Sequence, residues 1–200
     1  LNQQRYAGRV EKPHMFSSVK RDINPLQGAI SVWVFPLKEK TNTFVLEGNA
    51  GNNNYIIQFD GASFNFVRGN NRNNLISFNG VQLKKWHNLV LTWELENDEQ
   101  IMKAYVNGNL VGTKSFSGQE PFLDSSVLLV GGSREGNEFP GYIDEVRFYS
   151  GALTSKEVTD LYNEKGIFPF KTFFRDDVVW LGSNINISNY GPGVKFEESK

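Results

Sequence analysis

The chain has 200 residues, enough for one large β-domain or one domain with a tail, and its 39% hydrophobic content suffices for a sizeable core. Its net charge is −1 with Lys and Arg dispersed, so there is no basic stripe of the kind nucleic-acid binding needs. It has no cysteine, which excludes disulfides and thiolate metal sites, and no apolar run long enough to span a membrane.

Aromatic residues reach 14%, which favours strands, where such side chains pack well. Short alternating runs recur between Gly/Asn turns, the pattern of a β-sandwich or jelly roll. No clear strand marks the first 27 residues, although Val10–Val19 is a stand-in for one. Gly28–Phe35 alternates Ile30, Val32 and Val34 against Ser31, Trp33 and Phe35, and Pro36 ends it. Thr43–Glu47 is the next strand. Tyr55–Phe59 and Ser63–Val67 flank the hairpin signal Asp60-Gly61. Leu75–Phe78 is short. Trp86–Trp93 is strongly apolar and suits a central strand. Met102–Val106 and Leu110–Lys114 flank the turn dipeptide Asn107-Gly108, and Val127–Val130 is apolar enough to be buried. Tyr142–Tyr149 closes the series. Gly48–Asn54, Gly69–Asn74 and Gly131–Glu138 read as loops.

One helix is well marked, from about Ser155 to Asn163. Thr154 is its N-cap, Glu157 completes a capping box, and Leu153 with Val158 is spaced as a hydrophobic staple. Gly166 stands just past its end. Residues 168–200 have a different texture, FPFKTFF, DDVVWLG and NINISNYGPG. This extension either packs on the sandwich, through Phe170, Phe173 and Trp180, or links to a further domain. The chain starts without Met and stops at Glu198-Ser199-Lys200, so it reads as a fragment of a longer protein.

Three motifs, in order, carry a family resemblance over residues 28–165. They are AISVWVFP (Ala29–Pro36), WHNLVLTWELENDEQIMKAYVNGNLVGT (Trp86–Thr113), and the closing GYIDEVRFYSGALTSKE that starts at Gly141. Together they resemble the laminin G-like domains of the concanavalin A-like lectin/glucanase superfamily. The resemblance implies an all-β jelly-roll sandwich of two antiparallel sheets with one short helix near the C-terminal end, occupying residues 1–167. It fixes function less tightly, because that fold hosts lectins, enzymes and spacers.

Asp144 is the first candidate for chemistry. Strict alternation places it on one face with Tyr142, Val146 and Phe148, where an unpaired carboxylate is costly. In many members of the superfamily resembled, the matching Asp binds a structural Ca²⁺, which takes six to eight oxygens. The resemblance implies an N-terminal partner ligand, Asp22 or Asn24. The alternative is that Asp144 caps a turn or pairs with Arg.

Glu94, Glu96, Asp98 and Glu99 raise an enzyme reading, since retaining glycosidases need two carboxyls about 5–5.5 Å apart. The family's hydrolases carry E-x-D-x-x-E with a hydrophobic second residue, whereas this chain has Glu96 at the Asp position. The alternative is a solvated hairpin turn. His14 and His87 are isolated, which argues against zinc and against a catalytic triad.

Trp33, Phe35, Tyr105 and Tyr149 stand opposite the more aliphatic faces of their strands. They form either a sugar-stacking face or a second hydrophobic layer under the helix or the tail. The candidate ligand set is Trp33, Asn53, Asn54, Arg72, Arg134 and Tyr149. The role expected is a non-catalytic carbohydrate-binding or adhesion module of a larger extracellular, cell-surface or virion protein. Its partners would be a glycan or cell-surface polysaccharide and the neighbouring domains of the parent chain, without nucleic acid or membrane insertion. The alternative is a structural domain of a fibre or virion with no sugar site, and a glycoside hydrolase is a third reading.

Overall fold

A computed structural model describes residues 8–9, 14–17, 26–49, 55–68, 75–117, 127–132 and 137–163. The described residues form twelve strands and one helix. The strands are β1 (Gly8–Arg9), β2 (His14–Ser17), β3 (Gly28–Pro36), β4 (Thr43–Asn49), β5 (Tyr55–Phe59) and β6 (Ser63–Arg68). They continue as β7 (Leu75–Asn79), β8 (His87–Glu96), β9 (Glu99–Val106), β10 (Asn109–Ser117), β11 (Val127–Val130) and β12 (Gly141–Tyr149). Helix α1 is Ser155–Tyr162.

Two six-stranded sheets form, with orders β1-β12-β3-β8-β9-β10 and β2-β11-β4-β5-β6-β7. Every strand pair is antiparallel. This is the expected all-β sandwich, and β8 is the interior strand that its apolar run predicts. Within the interval Val10–Val19, the strand is His14–Ser17, and it pairs with β11. Gly166 and the extension 168–200 lie outside the described residues.

The core lies between the sheets. Ile30, Val32, Val34, Leu89, Leu91 and Trp93 enter it from the first sheet, and Tyr55, Ile57, Phe59, Phe64 and Phe66 from the second. The alternation of period two in β3, β5 and β6 therefore points as the sequence predicts. Phe139 closes one end of this core with its ring edge on Phe59 at 5.6 Å between centroids.

Left-handed residues make the tight turns. Asn107 (φ 53°) and Gly108 (φ 77°) join β9 to β10, and Asn97 (φ 49°) and Asp98 (φ 66°) join β8 to β9. Asn and Asp tolerate this region better than other non-glycine residues, and a hairpin with two positive φ angles matches the strand twist.

The helix start is as its sequence dictates. Thr154 is extended (φ −69°, ψ 158°) and its hydroxyl accepts from the Glu157 amide at 3.3 Å. Glu157 Oε2 accepts in return from the Thr154 amide at 2.8 Å. Leu153 packs with Val158 and Leu161 against Val90 and Tyr105. Thr154→Ala should therefore cost about 0.5–2 kcal/mol, read as a lower melting temperature. An unchanged melting temperature would show that the helix does not depend on this cap.

Candidate functional site

The helix decides the environment of the outer face of the first sheet. Val158 and Leu161 sit on Val90 and Tyr105, the Tyr105 hydroxyl lies 3.1 Å from Ser155 Oγ, and Tyr162 stacks on Trp33 at 5.8 Å. Trp33 is only 7% exposed, Tyr149 5% and Tyr105 1%. For Trp33 and Tyr105, a second hydrophobic layer beneath the helix describes their positions. Burial also pushes the Tyr149 hydroxyl up from its usual pKa, against a lowering by Arg147. Phe35 is different. It is half-buried and packs on Trp86 and Tyr142, at centroid distances of 5.4 and 5.9 Å, beyond the end of the helix.

The loops expected to carry recognition divide between the two ends of the sandwich. Asn49, Tyr55, Arg68 and Leu75 all end or begin strands at one end, held there by the pairings Gly48–Tyr55, Tyr55–Arg68 and Val67–Leu75. Residues 50–54 and 69–74, which hold Asn53, Asn54 and Arg72, connect those strands and lie outside the described residues. Gly131 belongs to the opposite end, where its amide donates to Val45 O at 2.8 Å and its carbonyl accepts from Phe139. Residues 133–136, with Arg134, lie outside the described residues too. The elements flanking Arg134 are thus remote from those flanking Asn53, Asn54 and Arg72.

At the first end, Arg68 is a residue that sequence reading missed. It is 1% exposed, and its guanidinium carbon stands 4.1 Å from the Tyr55 ring centroid and 5.7 Å from that of Trp93. Tyr55 and Trp93 themselves meet at 4.6 Å across the two sheets. Cation–π contact favours the charge in a site where burial opposes it, and burial accordingly lowers the Arg68 pKa. Arg at the end of an alternating strand gives no sequence signal of burial, since it is mostly exposed in proteins.

Asp144 requires a correction. In the register of β12 on β3, Asp144 pairs with Trp33 and Arg147 with Ser31, so Glu145 and Val146 together oppose Val32. This is a β-bulge, with Glu145 at φ 49°. The extra residue reverses the alternation. Ile143, Val146 and Phe148 face the core, and Asp144 does not share a face with Val146 and Phe148. Val146 and Phe148 therefore impose no burial cost on the Asp144 carboxylate. Its Oδ1 instead accepts from the Glu145 amide at 2.8 Å, and Glu145 Oε2 receives Arg147 Nη2 at 2.7 Å. Asp144 thus caps the bulge. Among the described residues, no three His, Cys, Asp or Glu side chains gather as a metal site. Asp22 and Asn24 lie outside the described residues.

The carboxylates of β8 and β9 are at a hairpin. Glu94 is held by Lys103 at 2.8 Å, while Glu96, directly paired with Glu99, is exposed beside the Asn97-Asp98 turn. The contact raises the Lys103 pKa, chiefly through the hydrogen bond to Glu94. An ion-paired carboxylate and an exposed one lack the apolar pocket that would hold one of them protonated as a general acid.

His87 is 4% exposed and faces Phe64. Its Nε2 lies 2.9 Å from Gln82 O and its Nδ1 3.4 Å from Asn107 Nδ2. The Gln82 amide also points at Nε2, at 3.3 Å, and the shorter contact to Gln82 O suits the neutral tautomer in which Nε2–H donates to the carbonyl and Nδ1 accepts from the Asn107 amide. Burial lowers its pKa most, the Gln82 carbonyl raises it and Lys85 lowers it. A His with a depressed folded pKa binds protons more readily when unfolded. Its contribution is fully present above the ordinary value near 6.5 and is lost as pH falls from there to the folded pKa. Melting temperature should thus fall as pH drops below about 6.5. In His87→Gln this part of the decline should be weaker, as read from the difference between the two curves. Parallel curves would remove His87 from the account.

A laminin G-type family profile, described as the concanavalin A-like lectin/glucanases superfamily, matches residues 16–159. The chain belongs to this superfamily. Pentraxin-related protein PTX3 of Homo sapiens is 29% identical over 139 residues, covering 67% of this chain and 36% of that protein. The chain thus spans about a third of the length of this curated relative. Among solved structures, domain 4 of AbnA, a GH43 extracellular arabinanase of Geobacillus stearothermophilus in complex with arabinotriose, is 26% identical with a TM-score of 0.54. That match covers 74% of this chain and 68% of the other. The native heptameric SAP-like pentraxin of Limulus polyphemus has a TM-score of 0.59 at 14% identity, covering 92% and 94%. The last of these supports the fold alone.

Proposed function

We propose that this chain is a non-catalytic carbohydrate-binding module of a larger protein that works outside the cell. The observation that carries the reading is the 26% identity, over most of both chains, to a domain of an extracellular arabinanase in complex with arabinotriose. Domains of such enzymes can hold a polysaccharide while another domain cuts it. The state of Glu94 and Glu96 favours binding without cleavage, because neither stands in a pocket fit for acid catalysis.

Recognition is assigned to the end of the sandwich where Tyr55, Arg68 and Leu75 terminate their strands. Loops on a rigid sandwich commonly carry binding groups, and the connecting sequences there are rich in Asn with Arg72 among them. Asn and Arg side chains supply the donors and acceptors that sugar hydroxyls require. Trp33 and Tyr149 are buried and offer little open ring for stacking.

The test is a glycan panel that includes arabinotriose, read by calorimetry and by release of reducing ends. Saturable binding of at least one oligosaccharide without release is the expected result. Release of reducing ends would support the hydrolase reading. No binding across the panel would support an assembly domain of a fibre or virion.

A further inference from the structure

A glycine after an asparagine leaves the backbone nitrogen between them least shielded from the asparagine side chain, because it carries no Cβ. The sequence holds two such dipeptides, Asn79-Gly80 and Asn107-Gly108. The fold treats them differently.

Asn107 is tied down. Its Oδ1 accepts from the Asn88 amide at 2.9 Å, its own amide donates to Asn88 O at 2.8 Å, and its Nδ2 lies 3.4 Å from His87 Nδ1. Gly108 is covered by Tyr162, whose Cβ is 3.1 Å from the place that a Cβ on Gly108 would take. The related Asp60-Gly61 turn is held as well, since Asp60 Oδ1 accepts from the Asn42 amide at 3.1 Å.

Asn79 is the last residue of β7, an edge strand of the second sheet. Asn79 and Gly80 are both exposed, and among the described residues no hydrogen bond holds the Asn79 side chain. Gly80 has φ 150°, a backbone that favours glycine. Its amide and that of Val81 share one acceptor, Ala62 O, each at 3.4 Å. Both contacts exceed the range of about 2.7–3.2 Å for a good N–H···O bond. Little therefore keeps the Gly80 nitrogen from the Asn79 side chain.

We infer that Asn79-Gly80 is a site of spontaneous covalent modification in the folded protein, with water as the co-reactant, and that Asn107-Gly108 is protected from it. The Gly80 nitrogen attacks Asn79 Cγ. The bond from Cγ to Nδ2 breaks, and ammonia leaves with the proton that the Gly80 nitrogen gives up. A five-membered succinimide remains. Water then opens it at one of two bonds. Breaking the bond from the Gly80 nitrogen to Cγ gives an ordinary aspartyl link, and breaking the bond to the main-chain carbonyl carbon gives a β-aspartyl link. Nothing is oxidised or reduced. Either product puts a carboxylate where the amide stood. The β-linked one also lengthens the backbone by one carbon at the end of β7, beside the pairing of Asn79 with Ser63.

The experiment holds the unaltered full chain in mildly alkaline buffer, with and without urea. Mass spectrometry follows the peptides that contain Asn79 and Asn107, and enzymatic methylation of β-aspartyl groups identifies the link. In the folded chain, conversion at Asn79 should run several-fold faster than at Asn107. In urea the two rates should converge, because the contacts that tie down Asn107 are gone. The acidic species that isoelectric focusing detects in the ageing protein should form several-fold more slowly in Asn79→Ser. Equal rates at the two sites in the folded chain, or faster conversion at Asn107, would overturn the inference. So would a ratio that urea leaves unchanged, since the fold would then not set the difference, or acidic species that form as fast in Asn79→Ser.

Discussion

Trp93→Ala should destabilise the protein by about 3–5 kcal/mol, the range for removing a fully buried Trp. The indole is 0% exposed and joins the two sheets through Tyr55, at 4.6 Å and 52° between rings. Its loss leaves a cavity whose lining is rigid strand on both sides, so little collapse is available to offset it. It also strips one of two aromatic faces from the buried Arg68 guanidinium, 5.7 Å away. A buried cation that loses a favourable neighbour keeps its full desolvation cost. Urea denaturation should show a lower midpoint with little change in slope. Trp93→Phe retains an aromatic face and should lose clearly less. Equal losses for the two variants would mean that volume alone matters and that the cation contributes nothing. A loss below about 1 kcal/mol in Trp93→Ala would remove Trp93 from its place as the link between sheets.

Gly141→Ala should cost about 3 kcal/mol, at the upper end for overpacking, or prevent folding. A Cβ at Gly141 would meet Phe35 O at 2.1 Å, the Phe139 ring at 2.8 Å and Phe35 C at 3.0 Å. Two of these three contacts are backbone, and a flexible side chain cannot yield in their place. Moving the Phe35 carbonyl would disturb the pairing of Gly141 with Pro36 and of Tyr142 with Phe35. It would also disturb the chain exit, where the Leu37 amide donates to Pro140 O at 2.9 Å. Gly151 supplies the control. Nothing lies within 4 Å of a Cβ built there, so Gly151→Ala should be neutral within about 0.5 kcal/mol. Thermal melting of the two variants side by side decides the matter. Equal melting temperatures would show that the β3–β12 edge can move to accept a methyl group.

Much of the fold can be read from local pattern because its strands obey it. β5 and β11 have the limits that their apolar runs mark, Tyr55–Phe59 and Val127–Val130. The capping box of Thr154 and Glu157 is a local device, and local sequence shows it. What escapes is long-range. Nothing in Asp-Glu-Val-Arg announces that Glu145 takes a positive φ, yet that one residue moves Asp144 to the other face. The helix is legible, but not the place where it lands. Trp33 and Tyr105 therefore allowed two readings until Val158, Leu161 and Tyr162 were placed. Arg68 escapes because its burial rests on Tyr55, thirteen residues away in sequence, and on Trp93 in the other sheet.

The central claim is that one end of a rigid, non-catalytic sandwich recognises a glycan. Backbone amide shifts of the full chain, followed by NMR during titration with the tightest ligand from the glycan panel, test it most directly. The account predicts saturating shifts at Tyr55, Arg68 and Leu75 and in the segments they flank, with the amides of Gly131, Phe139 and Gly141 at the opposite end unmoved. Shifts confined to that opposite end or to the helix face, or none with any member of the panel at millimolar concentration, would contradict it.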